Sequence, residues 1–279
     1  MPTVAVTGST GFVGGRVAQA LSGRDVPVRL LVRDESRAPA VGSAEVRAAA
    51  YEEVSSMRRA LAGVDTVFMV AVGEDGRRLD LHADFLSAAV QADVRQVVYL
   101  SYLGSDASSA FAWNRDHALT EQLLHDLDLD HTVLRASHFD TTMLEFAVWG
   151  DITGPAGQGR VTPIARTDVA DVVIGVLTDP HAHAGRTYEL TGPEALTFDQ
   201  VAEVVAQHRG AACRYHDVDD AAFRSRLRDL AVPDSLVSAW IDQYHQIRDG
   251  VFGTVSPHAE QLLGHPPLTL AASLATLDQ

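Results

Sequence analysis

Three glycines near the start of the chain are spaced for binding a phosphate group. A short apolar run at 4–6 comes before a turn punctuated by Gly8, Gly11 and Gly14, and apolar residues recur at helical spacing from Val13 onward. Strand, glycine turn and helix in this order form the corner of a Rossmann unit, where free N–H groups at the helix start face a pyrophosphate. A glycine turn in an α/β domain that binds no ligand is the alternative interpretation.

Two arginines after the second apolar run bear on which dinucleotide the turn would hold. The run VRLLV ends at Val32, Arg33 follows it, and Arg37 lies four residues further on. A guanidinium there can bind a ribose 2′-phosphate through paired hydrogen bonds, which favours NADPH over NADH. Asp34 could instead serve a ribose hydroxyl. Arg33 could also simply pair with Asp34 or Glu35 on the surface.

The chain contains no lysine, because all 22 residues of the Lys and Arg class are arginines. Many Rossmann reductases use a Tyr-x-x-x-Lys pair, in which the lysine lowers the tyrosine pKa and holds the cofactor ribose. That pair is excluded here. Schiff-base chemistry through a protein lysine is excluded as well.

Apolar runs alternate with helical patterns along the first half of the chain. Such alternation is typical of βαβ units and of a parallel sheet covered by helices on both faces. We predict strands at 4–6, 28–32, 46–48, 66–70, 96–100, 132–134 and 187–190. We predict helices at 11–22, 53–62, 77–92, 111–127, 138–149 and 168–178, with several more from 197 onward.

These patterns predict an α/β fold with a doubly wound parallel sheet of the Rossmann type. A turn-rich segment, GDITGPAGQGR, marks a shift in composition near residue 150. Residues 1–150 are predicted to form the NAD(P)-binding domain, with the strand near 187–190 returning to the sheet edge. Residues 151–279 are predicted to form a smaller, mostly helical substrate-binding region. In such folds ligands bind beyond the carboxyl ends of the strands.

Composition narrows the classes of function. The 279 residues carry 37 acidic and 22 basic side chains, a formal net charge of −15, which argues against nucleic acid or an anionic membrane as partner. A single cysteine excludes an intrachain disulfide and is typical of a cytoplasmic protein. We find no signal-peptide pattern and no apolar run of membrane-spanning length. The pair His181 and His183 lies in a polar loop, and we predict no metal site.

Six segments spread from residue 3 to about residue 270 carry a family resemblance. They are TGSTGFVGGRV, LLVRDESR, LAGVDTVFMV, VRQVVYLSYLGSD, HALTEQLLHDLDLDHTVLRASHF and RTYELTGPEALTF. They resemble the NmrA-like atypical short-chain dehydrogenase/reductases, a group that includes NADPH-dependent quinone reductases, triphenylmethane dye reductase and redox-sensing regulators. The resemblance implies a cofactor lined by Gly8, Thr10, Gly11, Phe12, Val13, Arg33 and Ser101.

The helix before the sixth strand takes the place of the family's catalytic helix. In relatives that keep Tyr-x-x-x-Lys, a glutamate follows the lysine by four residues, so counting back from Glu121 puts His117 in the lysine position and Trp113 in the tyrosine position. Neutral His117 could hydrogen-bond the nicotinamide ribose, and its protonated form could donate to a substrate carbonyl. Alternatively His117 is structural and pairs with Glu121 or Asp116. Trp113 has no useful acidity, and with Asn114 it is predicted to contact an aromatic substrate.

Residues after the fifth and sixth predicted strands complete the candidate site. Ser101 and Tyr102 end the fifth strand and join the histidine as catalytic candidates, with Ser101 expected to donate a hydrogen bond to the substrate oxygen. Tyr102 could equally serve only in packing. His138, Phe139 and Met143 follow the sixth strand and are predicted to contact the substrate.

Together these features predict an NADPH-dependent oxidoreductase that transfers hydride to a hydrophobic, aromatic quinone or ketone. Such an acceptor becomes a comparatively acidic alcohol or phenol on reduction, so it needs little help from a general acid and tolerates the loss of Tyr and Lys. One alternative is a non-catalytic NADP(H) sensor that signals through a partner protein. Nucleotide-sugar epimerase chemistry ranks last, because it needs the missing tyrosine as a base. The oligomeric state stays open.

Overall fold

The structure of the protein, a computed structural model, describes residues 3–72, 76–127 and 129–277. Eleven strands and eleven α-helices lie within these ranges, with short 3-10 helices at Glu35–Arg37 and Pro180–His183. The strands are β1 (Val4–Val6), β2 (Val28–Val32), β3 (Glu45–Ala48), β4 (Thr66–Val70), β5 (Gln96–Tyr102), β6 (Asp130–Ala136), β7 (Ile152–Gly154), β8 (Arg160–Val161), β9 (Arg186–Leu190), β10 (Leu196–Thr197) and β11 (Tyr215–Asp217). The helices are α1 (Phe12–Ser22), α2 (Val54–Leu61), α3 (Arg78–Gln91), α4 (Ala112–Asp126), α5 (Asp140–Phe146), α6 (Arg166–Thr178), α7 (Phe198–Arg209), α8 (Asp220–Asp229), α9 (Asp234–Arg248), α10 (His258–Leu263) and α11 (Leu270–Leu274).

Seven strands form one sheet in the order β3-β2-β1-β4-β5-β6-β9. The pairs β1–β2, β2–β3, β1–β4 and β4–β5 are parallel, and Val6 of β1 lies opposite both Leu30 and Phe68. The strand order reverses at β1, which is where ligands bind in open α/β sheets. The predicted fold class is therefore confirmed, and β9 lies at the sheet edge beside β6, in the position predicted for a return strand.

Buried aliphatic and aromatic side chains cover the sheet on both faces. Val67 of β4 packs in one buried cluster with Met57 of α2 and Phe85 of α3. Successive residues of a strand point to opposite faces, and the neighbours Val6 and Phe68, which point the other way, are also fully buried. Burial on both faces explains why these strands are continuous apolar runs in the sequence.

Helices α1 and α6 pack against each other. Val17, Ala18 and Leu21 of α1 are fully buried, and a bidentate pair between Arg16 and Asp171 joins the two helices at 3.0–3.2 Å. That pair is half-exposed, so it contributes roughly 1 kcal/mol or less to stability. The buried apolar face therefore holds α1, and with it the turn that precedes α1, in place.

The chain divides into two compact units that alternate along the sequence. The sheet unit comprises Met1–Ala107, Asp116–Arg135 and Arg166–Tyr188, and the second unit comprises Ser108–Arg115, Ala136–Ala165 and Glu189–Gln279. The assignment of cofactor binding to residues 1–150 and substrate binding to residues 151–279 concerns function, and it stays a prediction.

The second unit is mostly helical and also contains two small sheets that the sequence did not predict. Strands β8 and β10 pair antiparallel, and β7 and β11 pair parallel. Each has only two or three residues, which is too short for a recognisable alternation of apolar and polar positions. Phe146, Phe198 and Tyr244 form an aromatic cluster with ring centroids 5.0–5.5 Å apart. Helix α7 starts with a capping box between Thr197 and Gln200.

The helix predicted over 138–149 is shorter in the structure, where α5 covers only Asp140–Phe146. Residues before it stay extended, because Phe139 bridges to Ile164 and the N–H of Ser137 donates to the carbonyl of Leu190. Within the described ranges, no helix has the length and apolar character needed to cross a membrane.

Candidate active site

The glycine turn after β1 has the geometry that a closely approaching phosphate requires. Gly8 has φ +63°, a left-handed conformation that side chains disfavour. A Cβ on Gly14 would lie 2.4 Å from the carbonyl oxygen of Gly8, so only glycine fits there. Gly8 and Thr10 are exposed, as is Gly11, which caps the N-terminus of α1. Val13 is buried, so any contact it makes with a ligand would come from its backbone.

The start of α1 is open to an anion. No acidic side chain lies in its first turn, and its cap residue, Gly11, has no side chain to hydrogen-bond the N-terminal N–H groups. The hydroxyl of Ser9 is buried and has no hydrogen-bond partner among the described residues. Free N–H groups at a helix start attract phosphate through the helix dipole. These observations fit the pyrophosphate of a dinucleotide.

An arginine that the sequence reasoning missed lies beside this turn. Arg166 begins α6, and its guanidinium carbon lies 4.4 Å from the ring centroid of Phe12, the first residue of α1. Phe12 is 43% exposed, so the stacked pair is at the surface. The position of an arginine at a helix start, 154 residues away in sequence, gave no local signal. Its positive charge adds to the attraction for an anion at this turn.

The end of β2 places two arginines at the same edge of the sheet. Arg33 and Arg37 are both exposed, and neither forms an ion pair with any described residue. Asp34 is occupied, because its carboxylate accepts hydrogen bonds from the N–H and hydroxyl of Ser36 at 2.9 and 2.7 Å. These hydrogen bonds lower the pKa of Asp34. Glu35 accepts from the N–H of Ala48. The surface pairing of Arg33 with Asp34 or Glu35 is therefore not formed.

At the end of β5, the side chain of Ser101 hydrogen-bonds to the ion pair between Glu121 and Arg135. Its hydroxyl donates to Oε1 of Glu121 at 2.6 Å, and Arg135 of β6 donates to both oxygens of that carboxylate at 2.5–3.2 Å. Ser101 is buried, with 4% of its surface exposed. Its proton is thus committed to Glu121, so in this arrangement the serine can accept a hydrogen bond from a ligand but not donate one. The donor role remains a prediction that requires this contact to open.

His117 hydrogen-bonds to neither Glu121 nor Asp116, the two partners considered from sequence. Its Nδ1 lies 2.7 Å from the hydroxyl of Tyr99 on β5, while Glu121 pairs with Arg135. Burial lowers the pKa of His117 well below its usual range, and the charge of Arg78 adds to the effect. The ring is therefore neutral near pH 7. This favours the neutral hydrogen-bonding role predicted for His117 over the role as a protonated donor.

Tyr102 is the last residue of β5 and lies beside the histidine. Its ring centroid is 6.0 Å from that of His117 with the planes tilted by 35°, and its side chain is half-buried. The backbone carbonyl of Tyr102 accepts a hydrogen bond from Ser105, which shapes the turn after β5. The structure thus brings Ser101, Tyr102 and His117 together at the carboxyl end of β5.

Trp113 and Asn114 belong to the second unit. Trp113 is half-buried and stacks on Phe111 with ring centroids 5.8 Å apart. Asn114 is fully buried and its amide nitrogen donates to Gln246 at 3.4 Å, whereas its Oδ1 has no hydrogen-bond partner among the described residues. The substrate contacts predicted for both residues stay predictions.

The three residues predicted after the sixth strand differ in accessibility. His138 is 2% exposed and its ring lies edge-on to Phe252 at 4.5 Å, and burial lowers its pKa to about 3. Met143 has no exposed surface. Phe139 alone of the three is partly exposed. A substrate would touch His138 or Met143 only after a rearrangement, so their predicted roles rest on movement of the second unit's side chains.

Several other polar residues lie near His117, and no pattern in the sequence marks them as part of a site. Tyr99 lies inside the apolar run VVYLSY and is typical of a core residue, and Arg135 was visible only as a charge within a strand pattern. His82 and Arg78 of α3 are buried and hydrogen-bond to the backbone of Val72. The described part of the chain contains no cluster of three His, Cys, Asp or Glu side chains arranged for a metal ion.

Comparison with known proteins agrees with this geometry. The family described as NAD(P)H-binding matches residues 8–180. Quinone oxidoreductase 2 of Escherichia coli is 30% identical over 98% of both chains. The crystal structure of NADPH-dependent quinone oxidoreductase QOR2 from Escherichia coli complexed with NADPH superposes with a TM-score of 0.90 at 29% identity, covering 99% of this chain and 100% of that one. Citrobacter sp. triphenylmethane reductase complexed with NADP(H) superposes with a TM-score of 0.86 at 25% identity, covering 98% and 99%.

Proposed function

This chain belongs to the NAD(P)H-binding family, and on that premise we propose that it is an NADPH-dependent reductase of a hydrophobic aromatic quinone or ketone. The observation that carries the proposal is an open glycine turn after β1 together with two exposed arginines after β2 that form no ion pair with any described residue, at the point where the sheet order reverses. The names of the relatives, a quinone oxidoreductase and a triphenylmethane reductase, support the substrate class.

The residues present fit a bound dinucleotide. The backbone N–H groups of Thr10, Phe12 and Val13 would hold the pyrophosphate, with Arg166 beside them, and Arg33 and Arg37 would hold the 2′-phosphate. The N–H of Gly11 donates to the carbonyl of Gly8 and shapes the turn instead. When bound, NADPH supplies the hydride. The protein's task is then to hold the acceptor carbon close to the donor carbon and to keep water away.

Neutral His117 is the group best placed to assist the acceptor. Its Nδ1 is occupied by Tyr99, whereas no described residue hydrogen-bonds to its Nε2. A neutral imidazole N–H can polarise a carbonyl, or hold a ribose hydroxyl, without releasing its proton. With a quinone, hydride transfer leaves a phenolate, which can leave the site as an anion and take its proton from water. The missing Tyr-x-x-x-Lys pair is then not required.

Ser101 and Tyr102 would shape the place of the substrate oxygen in this scheme. Ser101 would offer its lone pairs to the cofactor or substrate while Glu121 holds its proton. Tyr102, half-buried beside His117, would provide an aromatic wall. Trp113 and Phe139, both partly exposed, are the predicted substrate contacts of the second unit. The proposal also includes a cytoplasmic location and the assignment of substrate binding to residues 151–279.

The test is NADPH consumption by the purified protein across a panel of quinones and polycyclic aromatic ketones, with NADH run in parallel. Turnover with any acceptor, faster with NADPH, would support the reductase. Tight NADPH binding without turnover on the whole panel would favour the alternative of a non-catalytic sensor, and a search for its protein partner would follow. Failure to bind either dinucleotide would overturn both.

A further inference from the structure

A hydrogen-bonded chain of buried side chains leads from α3 to His117. It begins at the backbone N–H of Val72, which donates to Nε2 of His82 at 3.1 Å. Nδ1 of His82 then lies 2.8 Å from the hydroxyl of Thr120, and that hydroxyl lies 2.8 Å from the carbonyl oxygen of Asp116. His82 and Thr120 have no exposed surface, so this part of the chain is shielded from bulk solvent.

The positions of the protons along this chain follow from its first member. A backbone N–H can only donate, so Nε2 of His82 must be the acceptor nitrogen and Nδ1 must carry the proton. Burial lowers the pKa of His82 to about 3, so the ring holds one proton at neutral pH. Its Nδ1–H donates to the hydroxyl of Thr120, and that hydroxyl donates its own proton to the carbonyl of Asp116. The hydroxyl of Thr120 is also a side-chain hydrogen-bond partner of the Tyr99 phenol, and it therefore has no proton left to give to that phenol.

The phenol of Tyr99 must place its single proton on an acceptor. Tyr99 has no exposed surface, and a buried hydroxyl without an acceptor costs about 1–3 kcal/mol. Nδ1 of His117, at 2.7 Å, is a stronger acceptor than the hydroxyl oxygen of Thr120. When Tyr99 donates to Nδ1, neutral His117 must carry its proton on Nε2.

We propose that Tyr99 is a positioning residue that holds His117 in the tautomer with its proton on Nε2. This makes His117 a hydrogen-bond donor at the nitrogen that no described residue occupies. The role in catalysis rests on the proposed function, because it matters only if a cofactor or substrate oxygen meets Nε2. The tautomer itself is a property of the free protein and can be measured without any substrate.

The test combines nitrogen NMR with kinetics on the full chain and on Tyr99→Phe. In ¹⁵N-labelled wild-type protein, with the His117 signals assigned by comparison with His117→Ala, we expect Nε2 to be protonated and Nδ1 not. In Tyr99→Phe we expect the signals to move toward the other tautomer or toward an average of both. Tyr244→Phe is the matched control, because it removes another buried phenol whose hydroxyl donates to a backbone carbonyl, that of Thr153.

If a quinone substrate is found, Tyr99→Phe should lower kcat about tenfold, equivalent to 1.4 kcal/mol, with less than a threefold change in KM for NADPH. A merely structural loss would affect stability in both phenylalanine variants and leave the tautomer of His117 unchanged. A wild-type proton on Nδ1, or an unchanged tautomer in Tyr99→Phe, would overturn the proposal. A changed tautomer in a protein that turns over no acceptor would support it and count against the reductase alone.

Discussion

The polar side chains at the end of β2 and those at the interface between β5 and α4 differ in exposure and charge. At the end of β2, Arg33 and Arg37 are exposed charges without ion-pair partners in the described chain. At the interface between β5 and α4, Tyr99 and His117 are buried, neutral and hydrogen-bonded to each other. Both regions lie at the carboxyl edge of the same sheet.

The difference separates two tasks. An exposed guanidinium keeps its full charge and can attract a phosphate from solution, because it loses little hydration before the ligand arrives. A buried neutral ring attracts little from a distance, but its dipole is fixed and needs no reorganisation when a partner arrives. We infer that the first region selects the cofactor and that the second acts on the bound reactants.

The largest effect is expected at the glycine turn that precedes both regions in the chain. In Gly14→Ala the new Cβ would meet the backbone of Gly8 at 2.4 Å, and backbone atoms cannot move aside as a flexible side chain can. We expect NADPH affinity, measured by calorimetry, to fall at least about a hundredfold, or roughly 2.7 kcal/mol.

The matched control is Gly175→Ala in α6, where an added Cβ meets nothing within 4 Å. Alanine favours a helix over glycine by up to about 1 kcal/mol, so this variant should be equally or more stable in urea unfolding. If Gly14→Ala bound NADPH as wild type does, the turn would not be the phosphate site.

Arg33→Ala tests the cofactor-selecting region directly. Loss of a charge-assisted contact of about 1.5–3 kcal/mol should weaken NADPH binding about ten- to hundredfold while NADH changes less than about twofold. Arg95→Ala removes the same charge from an exposed site at the start of β5 and should affect neither. Equal weakening of both dinucleotides by Arg33→Ala would contradict the assignment to the 2′-phosphate.

His117→Ala tests the second region, with a smaller expected effect. Removing a hydrogen bond made in the transition state should lower kcat with a quinone at least about tenfold, or 1.4 kcal/mol. If His117 acts on the acceptor, KM for NADPH should change little, since the charges proposed to bind the cofactor lie elsewhere; a raised KM would assign the ring to the ribose hydroxyl. His125→Ala, an 83% exposed histidine on the same helix, is the control. Unchanged turnover in a folded His117→Ala would make this histidine structural.

The neutrality of the buried histidines predicts the pH dependence of stability. The pKa values of His82 and His138 are about 3 in the folded protein, below the value near 6.5 expected on unfolding. The unfolded chain thus binds more protons between these values. The contribution of these two histidines to stability is complete above about pH 6.5 and is lost as pH falls toward 3, at about 1.4 kcal/mol per pH unit for each histidine.

Urea unfolding between pH 5 and 8 measures this slope. His82→Gln should reduce it, because one buried ring that resists protonation is gone. The exposed His125→Ala should leave the slope as it is. A slope unaffected by His82→Gln would mean that this ring takes up a proton in the folded state.

The fold could be predicted because it depends on repeated local patterns, whereas the contacts of the site could not. Runs such as VAV, VRLLV and TVFMV are continuous because both faces of the sheet are buried, and their strands end at the predicted residues. The glycine spacing and Arg33 were visible for the same reason, since a turn is a local feature.

Contacts between residues that are distant in sequence and are brought together by the fold could not be predicted. Tyr99 and His117 are 18 residues apart and lie on different elements, so nothing in the sequence showed that one would hold the other. Arg166 is brought to Phe12 by the packing of α6 on α1. The small sheets of the second unit escaped because strands of two or three residues carry no periodicity.

The alternation of the two units along the chain limits how this protein can be dissected. The chain passes from one unit to the other five times, at residues 107, 115, 135, 165 and 188. A fragment cut at residue 150 would lack α6, which packs on α1, and β9, which completes the sheet edge. A dinucleotide-binding half could therefore be isolated only by rejoining separate stretches of sequence. An insertion or deletion in one unit would also change the spacing between the segments of the chain that form the other unit.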